Sequence, residues 1–181
     1  MSNDRNGETY ALDVCASCKS VCCQDANPPT TQKRKKIIID YLKMHNLPVE
    51  NVFVQNGHLH PVTDSKGFCV FYNKDTYRCV VHPVKPETCK AGPITFDINL
   101  CTRKVEFYLK KSEICAFAGI IYEDKAQLKT HFEVAKEVIM QLIYDLEPED
   151  LKDLLTIAEP QTFKLDEINL PKEIAKKLSL M

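Results

Sequence analysis

The stretch Cys15-Ala16-Ser17-Cys18-Lys19-Ser20-Val21-Cys22-Cys23 places four of the chain's nine cysteines within nine residues. Cysteines three or four positions apart can point the same way on a turn or a helix, so they can share one metal ion. Cys22 and Cys23 are adjacent, and neighbouring side chains diverge in either a strand or a helix. The pair therefore suits two metal ions, or two corners of one polynuclear centre, better than a single tetrahedral ion.

Apart from its cysteines, the chain has the composition of an ordinary globular protein. It has 181 residues, of which 44% are hydrophobic and 27% charged, enough to build a core without help from a metal. Residues 1–10 lack the apolar stretch of a signal peptide, and no segment is apolar enough to span a bilayer. We therefore expect a cytoplasmic protein without a membrane partner. Because disulfides are rarely stable in the cytosol, nine cysteines predict metal ligands.

Charge and glycine content exclude several functional classes. The net charge is −1, and the only dense basic run, Lys33-Arg34-Lys35-Lys36, opens a predicted helix, where a solvated face explains it. We therefore expect no nucleic-acid partner. The five glycines are scattered, so no glycine-rich loop can cradle a nucleotide phosphate.

Hydrophobic periodicity predicts an α+β fold with a β-hairpin-rich cysteine-cluster core. A long helix in the N-terminal half, capped by Thr30 or Thr31 and running to about His45, precedes the hairpins. The predicted hairpins pair 51–55 with 58–62, 68–71 with 77–81, and 94–100 with 105–110, the first across a type I′ turn at Asn56-Gly57.

A C-terminal helical region follows the hairpins. The apolar stripe from Leu128 to Leu146 predicts a buried helix that packs on the β-rich part, and Pro148 and Pro171 suit the starts of two more helices. We divide the chain into a cysteine-cluster metal-binding domain, residues 1–120, and a helical region, residues 121–181, that packs on it. A single domain overall is the alternative.

Three further cysteines, Cys69, Cys79 and Cys89, follow in the hairpin region. A loop from Tyr72 to Thr76 would make Cys69 and Cys79 face each other on one side of the hairpin, whereas a four-residue loop would place them on opposite faces. Two prolines before Cys89 fix the backbone φ angle and stiffen the return of the chain. Rigid placement of this kind suits a metal ligand.

These motifs resemble those of a known family. The runs Cys-x2-Cys-x3-Cys-Cys, Gly-Phe-Cys-Val-Phe and Cys-x2-His-Pro-x-Lys-Pro-x2-Cys are similar to those of the YkgJ-type cysteine-cluster proteins, in an archaeal-like form. That family is described as zinc- or iron-chelating, or as iron–sulfur-containing. The resemblance covers about residues 15–120 and implies metal ligation by Cys15, Cys18, Cys22, Cys23, Cys69, Cys79 and Cys89. The chain has Lys85-Pro86 where the family often has Arg-Pro, and Lys90-Ala91-Gly92-Pro93 where an aromatic-Pro pair often follows the last cysteine.

The two remaining cysteines have different predicted roles, and so do the histidines. Cys115, before the small residues of Ala116-Phe117-Ala118-Gly119, is the eighth predicted ligand, and eight thiolates would complete two four-cysteine sites. Cys101, in a turn of solvent-facing composition, is not predicted to be a ligand. His82 is either a ligand or a turn residue bonded near the site. We expect His58 and His60 on a solvated hairpin, and His45 and His131 on helix surfaces.

The sequence therefore predicts a protein that chelates iron, as an iron–sulfur cluster, or zinc through its clustered cysteines. The vicinal pair and the surplus of thiols over four favour iron. Two alternatives stay open. In the first, the protein is a metal-dependent enzyme, either a redox enzyme or one like the protein lysine methylases described among the family's members. In the second, it is a structural zinc fold that serves protein–protein interaction, with a partner that the sequence does not identify. The sequence does not decide whether the protein catalyses a reaction.

Overall fold

A computed structural model describes residues 21–155 and 161–180 and shows an α+β fold. Helix α1, Gln32–Met44, follows the 3-10 turn Val21–Cys23 and begins where Thr31 accepts a hydrogen bond from the Arg34 amide at 3.0 Å. This confirms the predicted helix and its cap. Its apolar side enters a first core whose buried members are Ile38, Leu42, Val52, Phe71 and Val81.

The first hairpin pairs β1, Phe53–Asn56, with β2, His58–Pro61. The predicted type I′ turn is wrong, because it needs positive φ at two residues and only Gly57, at 71°, has it. Asn56 pairs instead with His58 across that single glycine. The hairpin tip closes on Asp153, whose carboxylate would collide with a Cβ at residue 57. The one-glycine turn at Gly57 therefore packs against Asp153, a residue from the C-terminal part of the chain.

The second hairpin is shorter than predicted. Strands β3, Tyr72–Asn73, and β4, Arg78–Cys79, pair Tyr72 with Cys79, which leaves a loop of four residues, 74–77. The chain then forms a 3-10 turn, His82–Val84, and the short helix α2, Glu87–Ala91. These elements carry Cys79 and Cys89.

A three-stranded antiparallel sheet contains the third hairpin. Strands β5, Ile94–Asn99, and β6, Lys104–Lys110, agree with the predicted pair, and β7, Thr162–Asn169, adds to the free edge of β6. The prediction missed β7 and treated its region as helical. A register shift between Phe107 and Tyr108 interrupts the pairing with β7, so the strand lacks a long regular alternation.

The helices of the C-terminal part cover this sheet. They are α3, Ala116–Glu123, α4, Lys125–Asp145, α5, Pro148–Leu154, and α6, Lys172–Lys177. The predicted stripe is confirmed, because Ala135, Ile139, Leu142, Ile143 and Leu146 are buried in a second core with Phe107 and Leu109 of β6. Among the described residues, no helix combines the length and apolar character needed to cross a membrane.

The residues that form each core do not follow the predicted division at residue 120. Residues Ala91 to Leu109 supply members of the second core, so the β5–β6 hairpin packs with the later helices rather than with the first core. Whether residues 1–120 and 121–181 fold as separate units is a different question, and that division stays a prediction. Cys69 and Cys79 pack on the first core, and Cys115 packs on the second.

Candidate metal centre

The described cysteines lie on short turns and element ends rather than inside long strands. Cys22 and Cys23 lie in the first 3-10 turn, Cys79 ends β4, Cys89 lies on α2, and Cys115 is the N-cap residue of α3. The predicted ligands Cys15 and Cys18 lie outside the described residues.

Backbone bonds fix the vicinal pair beside Cys69. The Cys69 amide donates to the Cys23 carbonyl at 2.9 Å, and the Asp25 amide donates to the Gly67 carbonyl at 2.8 Å. Gly67 has φ of 81°, and a Cβ there would collide with the Asp25 side chain. The glycine of the Gly-Phe-Cys motif thus lets the two cysteine-bearing segments pair.

Cys69 and Cys79 approach each other by a route that the sequence did not predict. The loop of residues 74–77 has the four-residue length for which opposite faces are expected. However, the Tyr72 amide donates to the Cys69 carbonyl at 2.8 Å, so the chain turns before β3 begins and Cys69 is not part of the ladder. The two sulfurs are close enough that Cys69 raises the pKa of Cys79, although burial raises it more.

Both cysteines also have the same local geometry. The amide of Phe71 hydrogen-bonds the Cys69 sulfur, and the amide of Val81 hydrogen-bonds the Cys79 sulfur. In each case the donor lies two residues after the cysteine. An amide donor stabilises a thiolate, so each lowers the pKa of its cysteine and suits a sulfur that binds metal.

Electrostatic interactions connect all five motif cysteines that the structure describes, Cys22, Cys23, Cys69, Cys79 and Cys89. After burial, the neighbouring Cys79 has the largest raising effect on the pKa of Cys89, and Cys69 and Cys22 add to it. The pKa of Cys23 is likewise raised by Cys89 and Cys79, after the larger effects of Cys22 and burial. Three separate segments of the chain therefore bring their thiols to one region.

The thiols differ in how readily they ionise. The Cys23 thiol donates a hydrogen bond to the Cys22 sulfur, which lowers the pKa of Cys22 and raises that of Cys23. Burial raises the pKa of Cys69, raises that of Cys79 to about 11, and raises that of Cys89 further. Cys89 keeps an exposed surface, yet enough protein surrounds its thiol for this desolvation to act. A metal that binds here must displace protons from most of these sulfurs.

Two lysines supply positive charge to the cluster. Lys85 opposes the rise in pKa at Cys79 and Cys89, and Lys85 and Lys110 both favour the thiolate of Cys22. Lys85 Nζ donates to His82 Nε2 at 3.1 Å, and His82 begins the 3-10 turn His82–Val84. The choice between a ligand and a turn residue at His82 stays a prediction. Sequence reasoning treated Lys85 only as a departure from the family pattern and missed its charge.

The thiols are gathered without forming a finished coordination sphere. Within residues 21–155 and 161–180, no three His, Cys, Asp or Glu side chains are arranged so that they could hold a metal ion. The donor set itself fits zinc and iron, because both accept thiolate ligands and the amide donors to Cys69 and Cys79 favour thiolates. The grouping thus fits a soft metal in its chemistry, and the complete ligand set stays a prediction.

Cys115 and Cys101 lie near opposite ends of the β5–β6 hairpin. Cys115 follows the end of β6 at Lys110, the lysine whose charge acts on Cys22. Cys101 is exposed in the turn after Asn99, roughly 17 Å along the strand from the end at Ile94. This placement agrees with the expectation that Cys115 rather than Cys101 is a ligand, which stays a prediction.

Three histidines differ from their predicted exposure. His58 and His60 are buried, at 3% and 6% exposed, so the predicted solvated hairpin is wrong. His131 is half-buried rather than on a helix surface, and its Nε2 lies 3.2 Å from the Ala91 carbonyl oxygen and 3.1 Å from that of Gly92. Burial lowers the pKa of His131, and the two carbonyl acceptors assign its proton to Nε2. The partners of His58 and His131 are distant in sequence, so no local pattern could have identified them.

Comparison with known proteins identifies relatives of the cysteine region. The chain is 31% identical over 96 residues to an uncharacterized protein of Methanocaldococcus jannaschii, an alignment that covers 52% of this chain. The chain spans about half the length of that curated relative, because the alignment covers 50% of it. No solved structure matches this chain.

A family profile matches residues 14–116, more than half of the chain, and this region contains all eight predicted ligands. The family's short name, CxxCxxCC, places two residues between its second and third cysteines, whereas this chain has three, Lys19 to Val21. The chain belongs to the CxxCxxCC family, described as "Putative zinc- or iron-chelating domain".

Proposed function

We propose that this protein is a cytoplasmic metal-binding protein that holds iron, as an iron–sulfur centre, in preference to zinc. The proposed ligands are Cys15, Cys18, Cys22, Cys23, Cys69, Cys79, Cys89 and Cys115. The observation that carries the proposal is the convergence of five of these cysteines, from three separate segments, into one electrostatically interacting group. When bound, the centre would supply soft-metal coordination, and the chain supplies the thiolates and the lysine charges that stabilise them.

The number and arrangement of thiols support iron over zinc. A single zinc ion takes four ligands in a structural site, whereas five described motif cysteines already interact. The thiols of the adjacent Cys22 and Cys23 are hydrogen-bonded to each other. A centre with more than one metal position accommodates such a pair, because each sulfur can serve a different metal.

Metal analysis of the full chain, purified anaerobically, tests this proposal. We expect iron and inorganic sulfide in stoichiometric amounts, a brown protein, and an electron paramagnetic resonance signal in one oxidation state. Stoichiometric zinc in a colourless protein would contradict the preference for iron but would still support metal chelation by the cysteines. Protein that binds neither metal after anaerobic reconstitution would overturn the proposal.

Serine substitutions test the ligand set. Cys79→Ser and Cys89→Ser should lose stoichiometric metal, because each removes a sulfur from the interacting group. Cys101→Ser is the matched control, since Cys101 is an exposed cysteine in a turn at the far end of the hairpin. Equal loss in the control would show that metal content follows general stability rather than ligation.

A further inference from the structure

His131 lies between two segments that each carry a proposed ligand. Its Nε2 donates to the carbonyl oxygens of Ala91 and Gly92, at 3.2 and 3.1 Å, where α2 ends. Its ring also meets the Phe117 ring edge to face, with centroids 5.6 Å apart and planes at 87°. One side chain of α4 therefore contacts the ends of both α2 and α3.

The cysteines stand close in sequence to these contacts. Cys89 lies on α2 two residues before Ala91, and Cys115 is the N-cap residue two residues before Phe117. Helix α2 has only five residues, too few to hold its own position through helical hydrogen bonds alone. Its location depends on what its ends contact, and α4 provides such a contact at the C-terminal end.

We propose that His131 is a positioning residue that fixes the segments bearing Cys89 and Cys115 relative to each other, and so sets the geometry of the metal centre. This inference rests on the proposed function. The hydrogen bonds hold the end of α2, and the ring contact holds the start of α3. The helical part of the chain then contributes to the site through α4, although α4 contains no proposed ligand.

The donor and the ring can be separated by substitution. His131→Phe keeps a ring against Phe117 and loses the N–H donor, whereas His131→Gln keeps a donor amide and loses the ring. His45→Phe is the control, because His45 also packs its ring against an aromatic ring but lies far from the proposed ligands in sequence. His45 is the C-cap residue of α1, and its ring centroid lies 4.2 Å from that of Tyr41. Each full-length variant is prepared metal-free, and its thermal unfolding is measured by circular dichroism.

The measurements are Zn²⁺ affinity, by competition with a chromophoric chelator, and the thiolate-to-metal absorption bands of the Co²⁺-substituted protein. Loss of a group that bonds a metal ligand directly typically lowers affinity by about 10- to 100-fold. His131 acts through residues two positions from the ligands, so we expect a loss of about tenfold, at the low end of that range, in His131→Phe, with altered Co²⁺ bands. We expect His131→Gln to bind more tightly than His131→Phe, and His45→Phe to match the wild type.

Wild-type affinity and unaltered bands in His131→Phe would overturn the inference while leaving the metal centre intact. The inference also fails if His131→Gln binds no better than His131→Phe, or if His45→Phe loses as much affinity as they do. If the wild type itself binds neither Zn²⁺ nor Co²⁺, the proposed function fails and the inference fails with it.

Discussion

His58 Nδ1 lies 2.7 Å from Oδ2 of Asp153, which joins strand β2 to helix α5 across 95 positions of sequence. The other ring nitrogen, Nε2, lies 2.8 Å from the Asn27 carbonyl oxygen. His58 is 3% exposed. The contact therefore connects the segment after the vicinal cysteines, the first hairpin and the C-terminal helices through one buried ring.

Replacing Asp153 by alanine should destabilise the protein, because it leaves a buried ring nitrogen without its partner. We expect a loss of about 1 to 2 kcal/mol in the free energy of unfolding, measured by urea titration. Asp150→Ala is a matched control on the same helix, since Asp150 bonds Gln55 of the same hairpin but at an exposed position. Equal effects of the two substitutions would contradict the importance of the buried contact.

The vicinal cysteines should differ in reactivity. In the metal-free, reduced protein at pH 7, we expect Cys22 to be alkylated faster than Cys69, Cys79 and Cys89, because the Cys23 thiol lowers the pKa of Cys22 while burial raises the others. Cys23→Ala should slow the reaction of Cys22, with exposed Cys101 as the internal reference in peptide mass spectrometry. A Cys22 rate that does not change in Cys23→Ala would contradict the hydrogen bond.

The metal-free protein should lose stability in alkaline solution. The pKa values of Cys69, Cys79 and Cys89 are raised by burial, so above the ordinary thiol pKa the folded state holds more protons than the unfolded state. Their contribution is complete below about pH 8.5, and for Cys79 it is lost as the pH rises towards about 11. Cys22 has the opposite sign, because its lowered pKa removes stability as the pH falls.

Unfolding free energies of the metal-free protein between pH 7 and pH 11 measure this effect, with Cys79→Ala as the comparison. The variant should show a shallower alkaline loss than the wild type, since it lacks one of the raised thiols. If the unfolding free energies of the two proteins fall in parallel as the pH rises, Cys79 does not contribute to the alkaline loss of stability as predicted.

A core substitution in helix α5 should separate stability from metal binding. Leu151 is 0% exposed in the second core, and Leu151→Ala should lower the free energy of unfolding by about 2 to 5 kcal/mol. Metal stoichiometry at low temperature should persist, because α5 carries none of the proposed ligands. Lys152→Ala, on the exposed side of the same helix, is the control. Stoichiometric loss of metal in the folded Leu151→Ala protein would show that α5 helps to build the site.

Local patterns predicted the elements that depend on neighbouring residues. Thr31 caps α1 as expected, the β5–β6 hairpin forms where its alternation indicates, and the stripe up to Leu146 is buried. Each of these depends on interactions within a few residues or on one apolar face, which a sequence displays directly. The family resemblance rests on the same kind of local spacing.

The features that the sequence did not predict depend on distant partners. Strand β7 forms because β6 offers a free edge, and the register shift at Phe107 hides its alternation. His58 and His131 hydrogen-bond to Asp153, Ala91 and Gly92, which lie 39 to 95 positions away. Cys69 reaches Cys79 because a backbone turn precedes the strand, and residue spacing alone does not specify that turn.

The most direct test of the metal centre is X-ray absorption at the metal edge of the anaerobically purified full chain. We predict a first shell of sulfur atoms at about 2.3 Å from the metal, with the iron edge carrying the signal and an iron–iron distance in the outer shell. The bound metal, and with it the edge signal and its sulfur shell, should be lost in Cys89→Ser and kept in Cys101→Ser. A first shell of nitrogen or oxygen atoms at about 2.0 to 2.1 Å, without sulfur, would contradict metal binding by the clustered cysteines.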